Sequence, residues 1–555
     1  MRAEARRGAA SRGPRFLLLG AVPVLLSLAV SLRSISRHFE GGVTWEFCHY
    51  GEIGRNLLET GAYRTREVTP WTLALLDARG IPFDAAHPAP VLDRFPLQAA
   101  LSALAEKLGG ADDAALAALS ALLMAGCVAA TFAAGLIFFS AAEALTAASI
   151  LALDPSFQRG FVLWGYPDFG FLILTVLAGA VLCAESPDET SAASSMRLAL
   201  AGALAGAAWL ARSNFILWLP FFLWAAWRGP RGARARGAAW FAAAFVAAAA
   251  PGWIYNLRWF GGINPPTLAW NLADRVIPGA EPWLAYRTYS VGEIVFGHAP
   301  ALARKFVVLL AQYLSELPGL WQFQPAFAAA IIGVWTLFVE RRARADARAR
   351  RWTRLALEML AVQILVFSFL RHETLGAHVG GRYLLWFAPA LLLLACRGAL
   401  RAGRAFGRPR AGLALFALVT VGWFARFWSQ PQGGASYPGG ARVADWPELR
   451  AAAALPDDGL IVTNLSTQVA WYARRSAVAL PAAPEDLSAI MARHRVSAVL
   501  ISRLGVGELA QTPAWRPYAA DPAGAAREPW RRLGFRLARD YGTAALLVPL
   551  DASAR

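Results

Sequence analysis

Lysine is almost missing from this 555-residue chain: it occurs only at Lys107 and Lys305, so nearly all of the 54 basic residues are arginine. Cysteine is scarce too. Three of the four, Cys127, Cys183 and Cys396, fall in apolar runs, which leaves Cys48 without an evident partner and excludes a disulfide framework. No Cys/His spacing matches a metal-ligand set. No glycine-rich phosphate loop occurs, which argues against a nucleotide site. Internal repeats of the kind that build many transporters are lacking as well. Charge is sparse, at 16% of residues against 57% hydrophobic, which excludes an ordinary soluble enzyme.

What the chain does have is apolar runs. They cover 16–32, 114–139, 141–153, 165–184, 197–211, 213–227, 236–255, 323–339, 355–370, 382–396 and 411–428, and a bilayer crossing needs roughly 20 residues. The expected fold is a polytopic α-helical membrane protein with about eleven transmembrane helices. Arg2, Arg6, Arg7, Arg12 and Arg15 precede the first run as in a signal peptide. The exit LRSISRHFEGG offers no small-residue cleavage site, however, so the run reads as a retained span with a cytoplasmic N-terminus. The net charge of +17 does not point to nucleic acid, because the arginines lie between the spans. Eleven crossings place the arginine-dense connections 228–236, 340–354 and 397–410 inside, as the positive-inside rule asks.

This topology puts two large loops outside, 33–113 and 256–322, the second holding a short interfacial helix over 300–316. After the transmembrane part (1–428) comes a Pro/Gly/Ser linker at 429–440, then a domain over 441–555. Strand patterns at Leu460–Thr463, Ala477–Leu480, Ser497–Ser502 and Ala544–Leu550 alternate there with helix patterns at Glu448–Ala454, Thr467–Ala473 and Glu485–His494. That is a small α/β domain. The Ala/Arg bias fits a GC-rich bacterial genome, hence an inner-membrane protein with this domain in the periplasm.

The chain is arranged around Trp45–Leu97, just after the first span. On a helix, Glu46, Tyr50, Ile53 and Leu57 share one face, and Gly61 supplies the stop. One reading is an amphipathic helix lying on the membrane with Glu46 in water. The other is a carboxylate held for chemistry. All seven histidines (His38, His49, His87, His298, His372, His378, His494) fall in outside segments. Asp93, Arg94, Asp154, Asp168 and Arg258 lie at or near outer span ends. The alternatives for these arginines are snorkelling to headgroups, and for Asp168 a helix N-terminal acid favoured by the dipole.

In their order these motifs resemble the GT-C class of polytopic glycosyltransferases, in the branch of protein O-mannosyltransferases and the lipid A aminoarabinose transferase. The resemblance covers about residues 15–430. The first outer loop opens on Glu46, then Tyr50, Asn56-Leu57-Leu58, Gly61 and Tyr63; Arg94-Phe95-Pro96 leads into the second span. Asp168 opens the fourth span, Arg212-Ser213-Asn214 the sixth, and Pro251-Gly252-Trp253-Ile254-Tyr255-Asn256 ends the seventh. GGRYLLWFAPALLLL holds Arg382 and Tyr383. Against the family, Glu46 replaces the usual Asp and is followed by Phe47, the basic motif has one proline, and the insert 64–92 is long.

The resemblance implies sugar transfer from a polyprenyl-phosphate-linked donor to a glycan, lipid or protein acceptor, with no organic cofactor, a divalent metal left open, and no nucleic acid, among membrane lipids. Glu46 is then the base, since a hydroxyl attacking an anomeric carbon must lose its proton. Asp168 is a second catalytic acid. Arg94 and Arg382 clamp the departing phosphate, with Arg258 and Arg212 as further phosphate candidates. Tyr50, Asn256 and Tyr383 are substrate-binding candidates. A transporter or lipid flippase and a non-catalytic scaffold are the other classes, and convergence of Glu46, Asp168, Arg94 and Arg382 separates the transferase from both. The topology predicts that an export-dependent reporter fused after residue 440 is active; activity of a cytoplasm-dependent reporter there would invert the site's placement.

Overall fold

The computed structural model describes residues 2–550 except 85, 166, 186–190, 229–233, 265, 279–280, 340–344, 371–381, 430–440, 458 and 505–511. His372, His378, Gly381 and most of the linker lie outside the described residues. Among the described residues seven helices are long and apolar enough to cross a membrane: Leu18–His38, Asp113–Phe138, Ala192–Ala211, Ala235–Phe260, Ala347–Leu370, Arg382–Ala405 and Pro409–Trp428. Two bent pairs pass when taken together, Ser156–Trp164 with Asp168–Cys183 and Val291–Gly297 with Ala299–Leu320. Ala141–Leu153 and Gln324–Val339 are shorter apolar helices.

Helices fall on the apolar segments read from sequence except around 213–227 and 300–316, but the described residues give seven spans, or nine with the bent pairs, against the eleven expected. Arg212 is extended (φ −157°), a 3₁₀ turn follows over Ser213–Leu217, and the helix Leu219–Trp227 has only 9 residues. At 1.5 Å per residue that helix is about 14 Å long, half a bilayer's hydrocarbon thickness. Conversely, the interfacial helix expected at 300–316 is the longer arm of a pair bent by 89°.

Helix contacts are close where glycine permits. A Cβ at Gly398 would collide with the Ala329 carbonyl, and one at Gly333 with the Leu394 carbonyl. The helices Gln324–Val339 and Ala388–Ala405 therefore touch backbone to backbone, as small residues allow in membranes.

At one end of the bundle sits a six-stranded sheet. Its strands are β2 (Glu67–Val68), β4 (Leu460–Thr463), β5 (Ala477–Ala479), β6 (Val496–Ser502), β7 (Phe535–Asp540) and β8 (Ala544–Pro549), in the order β2-β5-β4-β6-β8-β7; β1 (Arg64–Thr65) pairs separately with β3 (Ala89–Pro90). Four of these strands match the patterns read from sequence. β7 escaped notice because FRLARD is mostly exposed and carries little apolar alternation. β2 is unexpected: it belongs to the first outer loop, yet pairs in parallel with β5 through Glu67↔Ala477 and Val68↔Val478. The long insert 64–92 is thereby explained. Its Val68, Leu73, Leu76, Phe83 and Ala89 join one core with Leu460, Val462, Val478, Leu487 and Val499. Introducing Gly398→Leu should destabilise the bundle by about 3 kcal/mol, the upper end for overpacking, read as a lower Tm in detergent; an unchanged Tm would contradict the backbone contact.

Candidate active site

The helix α1 (Trp45–Thr60) is not a surface helix, because its residues from Phe47 to Asn56 are buried. It begins at Thr44, whose side chain caps the Phe47 N–H, and ends at Gly61, which has φ 68° as the left-handed stop requires. Tyr50 and Ile53 pack on Val91 and Ala99, and Leu57 is half-buried. Glu46 is only 15% exposed and ion-paired with Arg382, which is 11% exposed. Arg382 opens the 3₁₀ turn Arg382–Phe387 and bonds the Tyr383 hydroxyl at 3.0 Å.

A second ion pair lies beside the first. Asp168, in the first turn of the helix Asp168–Cys183, is 1% exposed and bonded to Arg212. The extended backbone at Arg212, which breaks the expected span, is what delivers that side chain. The Arg212 and Arg382 guanidiniums lie 4.6 Å and 5.0 Å from the Tyr383 ring centre. Arg382 and Glu46 both lie within electrostatic range of Asp168. One Asp168 oxygen, Oδ2, is buried without a hydrogen-bond partner among the described residues.

Arg94 arrives from a third direction. Phe95 is extended (φ −109°, ψ 136°) ahead of Pro96, which starts the helix Pro96–Gly109. The Arg94 Nε donates to His49 Nδ1 at 3.1 Å, and Nη1 lies 3.1 Å from the Asp93 carboxylate. Its charge acts on Glu46. Tyr50 accepts a long bond from the Phe95 N–H (3.4 Å), and burial pushes its phenol up to about 12 although Arg94 opposes this, so it packs the site as a neutral ring. Glu46, Arg94, Asp168, Arg212, Arg382 and Tyr383 are therefore brought together. Arg258 and Asn256 are not: exposed Arg258 stacks on Trp259 at 5.3 Å, and Asn256 donates to the Ile263 carbonyl at 3.0 Å.

At the level of sequence, no family model and no curated protein matches the chain. Solved structures do. ArnT from Cupriavidus metallidurans bound to undecaprenyl phosphate superposes with TM-score 0.55 at 13% identity, covering 98% of this chain and 99% of that one. The archaeal oligosaccharyltransferase AglB from Archaeoglobus fulgidus, in complex with an inhibitory peptide and a dolichol-phosphate, superposes with TM-score 0.56 at 13% identity, covering 88% and 69%. The chain shares their fold. The GT-C-like architecture expected from the order of the motifs is the one found.

On this GT-C-like frame the tryptophans of the second loop and of the span before it mostly meet other rings: Trp283 meets Trp45 (4.9 Å), Trp270 meets Trp71 (6.3 Å) and Trp253 meets Trp209 (5.7 Å). Cys48 is buried and donates to the Gly42 carbonyl. Among the described residues no group of three His, Cys, Asp or Glu is placed to hold a metal ion. Sequence reasoning missed the role of His49 beside Arg94 and the whole of Glu67, 3.3 Å from His49. His49, three residues after Glu46, carried a faint signal as an outside histidine on the same helix; Glu67 carried none.

The two acids of α1 differ in environment. Burial pushes Glu46 up, but the Arg382 and Arg94 guanidiniums more than cancel this and hold it below the usual carboxylate value. Glu52 faces elsewhere, accepting from Thr65, Asn56 and the Arg66 N–H, and burial raises it to about 7 despite those bonds. Because the folded value of Glu46 is depressed, its pairing stabilises the fold fully above the unfolded value of about 4.3. That contribution is lost as pH falls through the folded value. The Tm gap between wild type and Glu46→Gln should therefore be constant above pH ~5 and close on further acidification; a gap that widens in acid would reverse the assigned direction.

Proposed function

We propose that the chain transfers a sugar from a polyprenyl-phosphate-linked donor to an acceptor on the outer, periplasmic side of a bacterial inner membrane. The observation that carries this reading is the convergence of Glu46, Arg382, Asp168, Arg212 and Arg94 from five separate segments. A scaffold has no need of such an arrangement. The polyprenyl phosphates held by the ArnT and AglB structures support a lipid-phosphate donor. The arginine-dense connections support an orientation with the N-terminus in the cytoplasm and the sheet outside.

In this reading the acceptor hydroxyl attacks the anomeric carbon and its proton passes to Glu46. The bond from that carbon to the phosphate oxygen breaks, and the electron pair leaves with the lipid phosphate. Arg382 and Arg94 offset the growing negative charge. Arg382 has a second task, since its charge keeps Glu46 ionised and able to accept the proton. Asp168, steadied by Arg212, orients acceptor or sugar through its unpaired oxygen. A single displacement inverts the anomeric centre. No cofactor enters these steps.

Incubating purified protein with labelled polyprenyl-phosphate sugars tests the reading. Glu46→Gln should insert and bind donor yet lose about 10²–10⁴-fold in turnover, the scale for a general base. Glu46→Asp should retain part of the activity, and Glu52→Gln most of it. Arg94→Ala and Arg382→Ala should each cost roughly 2–4 kcal/mol in kcat/KM. If Glu52→Gln is dead while Glu46→Gln turns over normally, the base is the wrong carboxylate.

A further inference from the structure

Behind Arg94 lies a buried network that the proposed chemistry does not use. His49 and Glu67 are each 1% exposed. His49 Nδ1 faces two donors, Arg94 Nε and Trp45 Nε1, both at 3.1 Å. Its lone pair must therefore point at them, and its proton must sit on Nε2, 3.1 Å from the Thr65 hydroxyl. That hydroxyl also receives the Glu67 N–H at 3.0 Å and passes its own proton to Glu52 at 2.8 Å. The imidazole is thus fixed at both edges.

Glu67 completes the arrangement from the other side. Its Oε2 lies 3.3 Å from His49 Nδ1, an approach that a carboxylate would oppose, since two lone pairs would meet. A protonated carboxyl removes the conflict, and burial does push Glu67 well above the usual carboxylate range. Asp93 acts in the same direction, whereas Arg94 and Ser466 oppose it. The other oxygen, Oε1, accepts from Ser466 Oγ at 3.0 Å, across 399 residues of chain. Ser466 follows β4, and Glu67 lies on β2 of the same sheet.

We infer that His49 and Glu67 are positioning residues that set the orientation of the Arg94 guanidinium, and that through Ser466 they make phosphate binding depend on the C-terminal sheet. The inference rests on the reading that Arg94 binds the donor phosphate. The Nε edge of Arg94 is held by His49 and one arm by Asp93. With these two holds the remaining arm is aimed without rotational freedom. Loss of the imidazole acceptor would leave Nε–H buried and unpaired, and the guanidinium would turn to find another partner.

The test uses the full chain in detergent, with undecaprenyl phosphate as probe and undecaprenol as the phosphate-free control. His49→Ala and Glu67→Ala should each weaken undecaprenyl phosphate binding about tenfold, below the ~10²-fold that a 1 Å misplacement can cost, and leave undecaprenol binding unchanged. His49→Asn, which returns an acceptor near Nδ1, and Glu67→Gln, which mimics the protonated acid, should recover most of each loss. Ser466→Ala should reproduce part of it. The inference is overturned if both alanine variants hold undecaprenyl phosphate like wild type while Arg94→Ala does not. It is overturned too if they lose both lipids alike without recovery by Asn or Gln. Unchanged phosphate binding in Arg94→Ala would instead remove the underlying reading of Arg94. Should His49→Ala fail to bind undecaprenol, the Glu67→Ala and Glu67→Gln pair decides the matter.

Discussion

A guanidinium taken out of water is costly unless its charge and N–H groups are met, and the way they are met organises the end of the bundle where the sheet sits. Arg382 and Arg212 are 11% and 12% exposed, and each is met by a carboxylate from a different segment. Glu46 comes from the first outer loop and Asp168 from the start of a later helix; the Tyr383 ring lies against both cations. Breaking either pair would strand a charge in a poorly hydrated place. The four chain segments are therefore locked to one another by the same groups that have chemistry to offer. That overlap means stability and reactivity cannot be altered independently at these positions.

A second constraint is the burial of α1. A helix carrying Glu46, His49, Glu52 and Arg55 would lie comfortably on a membrane surface, yet the C-terminal part of the chain closes over it. Arg55 donates to the Trp471 carbonyl and stacks on its ring at 3.8 Å, and Gly51 leaves room for that same indole. Tyr472 donates to Asp113 and accepts from the Gly42 N–H. Gln468 reaches the Val43 carbonyl. The segment 466–473 thus holds Gly42 and Val43, in the connection between the first span and α1.

Much of this was legible in the sequence, for reasons that differ by element. The spans could be read because hydrocarbon demands long apolar runs, and the errors fall where a helix is broken by local geometry, at Arg212 and before Ala299. The convergence of Glu46, Arg94, Asp168 and Arg382 was expected from the order of the motifs, which needs no close identity to be read. Arg258 and Asn256 were drawn in by the same reasoning, and the structure uses them on their own neighbours instead. What could not be read was any relation made across hundreds of residues with no periodic signature. The two-residue strand Glu67–Val68 and the buried partnership of His49 with Glu67 belong to that class.

The strand borrowed from the first loop has a consequence for how the protein is made. β2 is translated within the first 70 residues, but its neighbour β5 lies about 400 residues later. Until that neighbour arrives, a newly inserted chain holds Val68, Leu73, Leu76 and Phe83 as unsheltered apolar surface in an unfinished loop. Such long-range closure is slow and leaves sticky intermediates exposed in the meantime. Covering this surface and completing the sheet both wait for the C-terminal strands. A chain that stops short of β5 leaves bare the apolar residues of the first loop that the sheet covers in the finished protein.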